Sequence, residues 1–166
     1  MKAVHRTDYN SALQILRKGF DLSKFGSATR KTGQQYNLAA RGIFVSEDWG
    51  VRVEDLPPHP WDHQDKGVYI FGTSNLQRPL KLNKEMEGSF YQNWLSDKYG
   101  GKSKSALTTA IQKEGYDGIY VQDAGEITIF DPDNFAIDHS KSDQSMTKYV
   151  EWKKLLSKGF AEWLRS

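Results

Sequence analysis

Apolar positions recur along this chain at two different spacings, and the switches between them mark out its elements. Residues 1 to 6 read as a short strand. Asp8 then stands where a helix cap belongs, and Ala12, Leu13, Ile15 and Leu16 fall on one side of a helix that Gly19 ends. Residues 21 to 41 are polar, with Gly26 and Gly33 among the basic Lys24, Arg30, Lys31 and Arg41. Beyond this loop, Gly42-Ile43-Phe44-Val45-Ser46 reads as a buried strand entered through glycine. Pro57, Pro58 and Pro60 predict an irregular stretch over residues 51 to 66, because proline cannot donate to a strand ladder. Gly67-Val68-Tyr69-Ile70-Phe71-Gly72 is the next clear strand, and helical spacing returns over roughly 86 to 99 and 105 to 114. Gly118-Ile119-Tyr120-Val121 and residues 126 to 130 read as neighbouring strands joined through 122 to 125, and Phe135-Ala136-Ile137 extends the sheet. Residues 146 to 166 predict a C-terminal amphipathic helix, with Tyr149, Trp152, Leu155, Leu156 and Trp163 at helical spacing and lysines largely on its other faces.

Strands and helices are thus mixed without regular alternation, which predicts an α+β fold rather than a doubly wound sheet. There is no internal repeat. A length of 166 residues, 37% of them hydrophobic and 13% aromatic, suits one domain spanning 1 to 166 with a real core. The 23 basic and 21 acidic side chains leave a net charge of about +2, so any basic surface is local and polyanion binding is not a whole-chain property. Cysteine is absent, which excludes disulfides, thiolate metal sites and cysteine nucleophiles. Residues 1 to 6 lack the apolar core of a signal peptide, and no run approaches the roughly 18 apolar residues of a membrane span. These features lead us to expect a soluble, cytoplasmic monomer with no membrane partner.

The candidate chemistry centres on Gly125-Glu126-Ile127-Thr128-Ile129-Phe130-Asp131-Pro132. A glutamate at a strand mouth can direct its charge into a cleft while the residues after it anchor in the core, and Asp131-Pro132 stops the strand. An ordinary solvated carboxylate at a strand end has the same pattern. Gly100-Gly101-Lys102-Ser103 lacks the strand and spacing of a phosphate loop. His59, Asp62 and His63 lie in the proline-rich stretch without a supporting ligand cluster, so no metal is expected.

Three separated pieces together resemble the ADP-ribosyltransferase family, in its diphtheria-toxin and poly(ADP-ribose) polymerase branch. That branch has a His-Gly-Ser/Thr triplet on its first strand, then a helix and glycine, a Gly-apolar-Tyr-apolar-Ser/Ala strand, and a later strand opened by the catalytic glutamate. The matching residues are His5-Arg6-Thr7, the helix from Ala12 to Gly19, Gly42-Ile43-Phe44-Val45-Ser46, and the strand beginning at Glu126. Gly115-Tyr116-Asp117-Gly118-Ile119 is also similar to small bacterial and phage members. The resemblance covers roughly residues 3 to 50 and 105 to 138, and none of 51 to 104.

The resemblance implies split mixed and antiparallel sheets flanked by helices, and cleavage of the nicotinamide–ribose bond of NAD with NAD as substrate and no metal. Glu126 would be catalytic. His5 would bond the adenine-side ribose, the backbone at Arg6 would hold the nicotinamide amide, and Phe44 would stack on the nicotinamide ring in place of tyrosine. Arg6 replaces the family's glycine and would equally suit a phosphate. Thr7 and Ser46 would shape the cleft, Trp49 or Trp61 would supply a second aromatic wall, and one or two of Lys24, Arg30, Lys31 and Arg41 would pair with the pyrophosphate. Enzymes of the family that modify arginine carry a glutamate two positions before the catalytic one, where Ala124 stands here. The implied activity is transfer of a single ADP-ribose to a protein or nucleic-acid acceptor, as in a bacterial effector, toxin or phage protein. NAD hydrolysis, an inactive NAD- or ADP-ribose-binding module, and a nucleic-acid binder are the alternatives.

Overall fold

The computed structural model describes residues 1–24, 38–50, 52–53 and 67–142. The expected C-terminal helix, Trp61, Arg30, Lys31 and the His59, Asp62 and His63 group lie outside the described residues. The elements run β1 (Lys2–Thr7), α1 (Tyr9–Lys18), β2 (Ile43–Glu47), β3 (Val68–Ser74), β4 (Pro79–Leu82), β5 (Glu85–Met86), β6 (Ser89–Phe90), α2 (Tyr91–Lys98), α3 (Lys104–Lys113), β7 (Gly118–Val121), β8 (Glu126–Ile129) and β9 (Phe135–Ser142). The class is α+β, built on a mixed sheet. Its strand order is β4-β7-β8-β2-β1-β3-β9. Only the β4–β7 pairing is parallel within that sheet.

Seven strands are joined in one continuous ladder and β5 and β6 form a separate two-stranded sheet, so the main sheet is not divided as the resemblance led us to expect. One core cluster holds Ala3, Ala12, Ile43, Val45, Ile70, Ile127 and Ile129, with α1 packed over the centre of the sheet. The other holds Leu80, Leu82, Ile119 and Val121 against Leu95, Leu107 and Ile111, so α2 and α3 cover the β4–β7 end. Strand alternation assigns the clusters to opposite faces. Tyr120 opposes Ile127 and packs with the first cluster, whereas Val121 opposes Glu126 and belongs to the second. The face of β8, β2, β1 and β3 opposite α1 is therefore bordered, not covered, by α2.

Helix α1 forms as its pattern predicts: Asp8 accepts from the Ser11 amide at 2.7 Å and Gly19 ends the helix. Its expected apolar side is narrower in fact, because Ala12 is buried while Leu16 is 45% exposed. The helix expected from 86 starts only at Tyr91. Glu87 and Gly88 have φ of 48° and 80°, which closes a tight hairpin between β5 and β6 instead. Strand β4 escaped the pattern because it is short and opens on Pro79, which a sheet edge tolerates. β9 runs beyond the expected 135 to 137 to Ser142, since an edge strand needs apolar residues on little of its surface.

Candidate functional site

Strand alternation turns Val4, Arg6, Phe44, Ser46, Glu126 and Thr128 to the face opposite α1, with Tyr69 and Phe71 from β3. Register then aligns them. Phe71 lies opposite Val4, Val4 opposite Ser46, and Ser46 opposite Glu126, which makes one row across four strands. These residues floor a cleft of about 510 Å³, within the size range of small-molecule sites. Phe90, Tyr91 and Gln92 at the start of α2 line it from one element, and Trp49 and Val53 line it as well.

Glu126 opens β8 at the exposed mouth of this cleft. Its Oε2 accepts a 3.0 Å hydrogen bond from the hydroxyl of Tyr91, which is only 6% exposed. The Tyr91 oxygen in turn accepts from Gln92 Nε2 at 3.1 Å. A buried, two-step chain of donors thus fixes one oxygen of the carboxylate and leaves the other to accept from a ligand. On the floor, the Arg6 guanidinium lies 5.5 Å from the centre of the Tyr69 ring, which holds a cation in the cleft against an aromatic face.

Trp49 is 69% exposed, yet it is tethered: its indole nitrogen donates to Glu47 Oε2 at 2.8 Å. The other Glu47 oxygen accepts from the Tyr120 hydroxyl, and this bond is the largest cause of an upward shift in the Tyr120 pKa. The indole also lies against Gly125. A Cβ there would approach an indole carbon to 2.6 Å, and the φ of +63° independently favours glycine, so Gly125 lets Trp49 sit beside the catalytic candidate.

Five of the residues singled out from the sequence therefore meet in this cleft: Arg6, Phe44, Ser46, Trp49 and Glu126. His5 does not line it. Alternation sends His5 to the α1 face, where its ring meets Phe20 edge-on at 5.1 Å and its Nδ1 lies 2.8 Å from the Phe44 carbonyl. A carbonyl only accepts, so Nδ1 carries the proton and donates. Burial lowers the His5 pKa, partly opposed by that bond. The ribose contact expected of His5 is replaced in this geometry by a structural tie between β1 and β2. Thr7 also lies off the cleft, buried at the end of β1.

Arg41 is fastened through its backbone. Its amide donates to Thr108 Oγ1 at 2.8 Å, and that hydroxyl donates to the Arg41 carbonyl at 2.9 Å, so this part of the loop is pinned to α3 and is not among the cleft-lining residues. Lys24, another cation expected near a pyrophosphate, donates to Gln14 on α1 at 2.8 Å. Tyr91, Gln92 and Glu47 are the members that the sequence did not reveal. Tyr91 and Gln92 stand in the stretch without a recognisable motif, and helical periodicity marks such positions only as buried or exposed, not as partners of a distant strand.

Among the described residues no group of three or more His, Cys, Asp or Glu side chains could hold a metal ion. No helix there is long and apolar enough to cross a membrane. Comparison with known proteins returns no match at any level: no protein family, no curated protein and no solved structure matches this chain.

Proposed function

We propose that the cleft binds NAD, that the fold is of the ADP-ribosyltransferase type, and that the protein transfers a single ADP-ribose to a protein or nucleic-acid acceptor. The observation that carries this reading is the convergence of Glu126, Arg6, Ser46 and Phe44 from separate strands into one cleft of ligand size. Each contributes chemistry that NAD needs. Phe44 offers a flat apolar face for a nicotinamide ring, and Arg6 a cation for a phosphate.

In this reading the bond between ribose C1′ and the nicotinamide nitrogen breaks, and its electron pair leaves with the ring. Nicotinamide departs neutral, so no general acid is needed. Positive charge grows on the ribose, and a fixed carboxylate beside it stabilises that charge better than reorienting water does. Glu126 supplies the carboxylate, oriented through the Tyr91 hydroxyl. The acceptor's lone pair then forms the new bond to C1′, and its proton passes to Glu126 or to water.

Hydrolysis is the second reading, favoured by the solvent exposure of Glu126, which lets water serve as acceptor. One experiment addresses both. Native protein and Glu126→Gln are incubated with NAD labelled in the adenylate, with and without a bacterial lysate. Nicotinamide release should fall about 10²- to 10³-fold in the variant, the loss typical of removing a preorganised charge-stabilising group. Label on macromolecules indicates transfer, and free ADP-ribose alone indicates hydrolysis. Release that is unaffected by Glu126→Gln removes the catalytic reading.

A further inference from the structure

The register of the sheet divides the cleft in two. Glu126, Ser46 and Val4 form a row across β8, β2 and β1, and the chain leaves that row in opposite directions on neighbouring strands. On one side of the row lie Thr128, Phe44 and Arg6, with Tyr69 opposite Arg6 on β3. On the other side the chain continues from Ser46 through Glu47 to Asp48 and Trp49. Charge follows the same division. Among the described residues that line the cleft, the charged ones are Arg6 at one end, Glu47 and Asp48 at the other, and Glu126 on the row between them. Lys2, whose carbonyl accepts from the Asp48 amide, and Arg52 are exposed and do not line it.

Trp49 stands at the anionic end, and at 69% it is the most exposed large hydrophobic side chain among the described residues. A lone exposed aromatic is ordinary, but this one is held in place. Its single donor is committed to Glu47 Oε2 at 2.8 Å, Glu47 is held in turn by the Tyr120 hydroxyl, and Gly125 admits the indole where a Cβ would not fit. What the ring has left to offer is its π face, already ordered, so stacking there costs the protein little side-chain entropy. A π face takes either another flat ring or a cation. The carboxylates choose between them. A nucleic acid would bring its phosphates up to Glu47, Asp48 and Glu126, whereas a cation is drawn to the ring and to the carboxylates alike. We infer that the Trp49 end of the cleft is an acceptor subsite, and that it docks a lysine or arginine side chain of a protein acceptor. This inference rests on the NAD reading above, in which Arg6 and Phe44 engage the dinucleotide at the opposite end and Glu126 serves both. The docked cation is a recognition element beside Trp49, and it narrows the acceptor to a basic segment of protein.

The test follows the indole N–H signal of Trp49 by NMR in the native protein, assigned from its loss in Trp49→Leu. Three probes are titrated: an end-blocked peptide of alternating glycine and arginine, the same peptide with neutral citrulline for each arginine, and a short single-stranded oligothymidylate. The arginine peptide should shift the signal saturably and bind about tenfold more tightly than either of the others, through one cation–π contact and the neighbouring carboxylates. In Trp49→Leu its binding, followed through the Gly125 amide, should weaken about three- to thirtyfold, the loss of the cation–π contact. A thermal midpoint shows whether that variant is folded; if it is not, the comparison of probes on the native protein decides. The inference is overturned if no probe moves the signal, if the arginine and citrulline peptides bind alike, if the oligonucleotide binds more tightly, or if folded Trp49→Leu keeps the native affinity. NAD titrated alone separates this inference from the reading beneath it. A protein that binds the arginine peptide at Trp49 but neither binds nor cleaves NAD keeps a cation site and defeats the NAD reading. One that releases nicotinamide through Glu126 yet fails the comparison of probes defeats the acceptor subsite alone.

Discussion

Tyr91 and Glu126 stand 35 positions apart and meet at 3.0 Å, because α2 starts at the edge of the face onto which β8 turns its first side chain. The carboxylate is exposed and its donor is buried, so the orientation of a surface group is set from the core. His5 shows the opposite use of a polar side chain. It is tied to the Phe44 carbonyl on the covered face, where burial holds its pKa below the usual histidine value of about 6.5. The unfolded chain therefore binds a proton more readily than the native one between the lowered pKa and about 6.5. Stability contributed by neutral His5 is fully present above that value and is lost as pH falls through the native pKa. Thermal midpoints measured from pH 7.5 down to 5 should decline, and the decline should be shallower in His5→Asn, which keeps an N–H donor and does not titrate. Equal slopes in the two proteins would show that other groups govern the acid limb.

At the level of elements, β8 organises the site, and its neighbours approach it as closely as backbone allows. A Cβ on Gly42 would lie 2.6 Å from the Ile129 carbonyl oxygen and 2.8 Å from the Thr128 methyl. Neither neighbour can give way freely, since Ile129 is held in the ladder between β2 and β7. Gly42→Ala should therefore destabilise the protein by about 1–3 kcal/mol, the usual range for overpacking, as read from a denaturant midpoint. An unchanged midpoint would mean that β2 can shift away from β8, and the alignment of Ser46 with Glu126 would then be looser than described. The strands of this central group are legible in the sequence because their apolar runs are bounded by glycine: Gly42 before β2, Gly67 before β3, Gly118 opening β7 and Gly125 before β8. β4 and the hairpin of β5 and β6 are not. Their pairing depends on a neighbour, β7 for one and a positive-φ turn at Glu87 and Gly88 for the other, and no local periodicity announces either.

For the molecule as a whole, the sheet separates stability from chemistry. One face carries α1 and the tie made by His5, and the other carries the cleft, with α2 and α3 packed at its border. A ligand that binds only the folded state adds about 2.7 kcal/mol at a hundred times its Kd. In a domain of this size that corresponds to a rise in Tm of roughly 5–10 °C. Saturating NAD should produce such a rise, and Arg6→Ala should diminish it through the loss of a cation for the phosphates. No shift at any concentration up to solubility would argue that the cleft takes another ligand. By itself the sequence determined the α+β class, the cap and end of α1, the central strands, and Glu126 as a candidate, because periodicity, turn residues and a charge at a strand mouth are local signals, whereas Phe44 and Ser46 became candidates through the family resemblance. Only the tertiary structure decided that Arg6 faces the cleft while His5 faces α1, and that Tyr91 and Gln92 reach the carboxylate. A shift of one residue along a strand reverses the face a side chain serves, and the placement of a helix start against a distant strand is settled by packing.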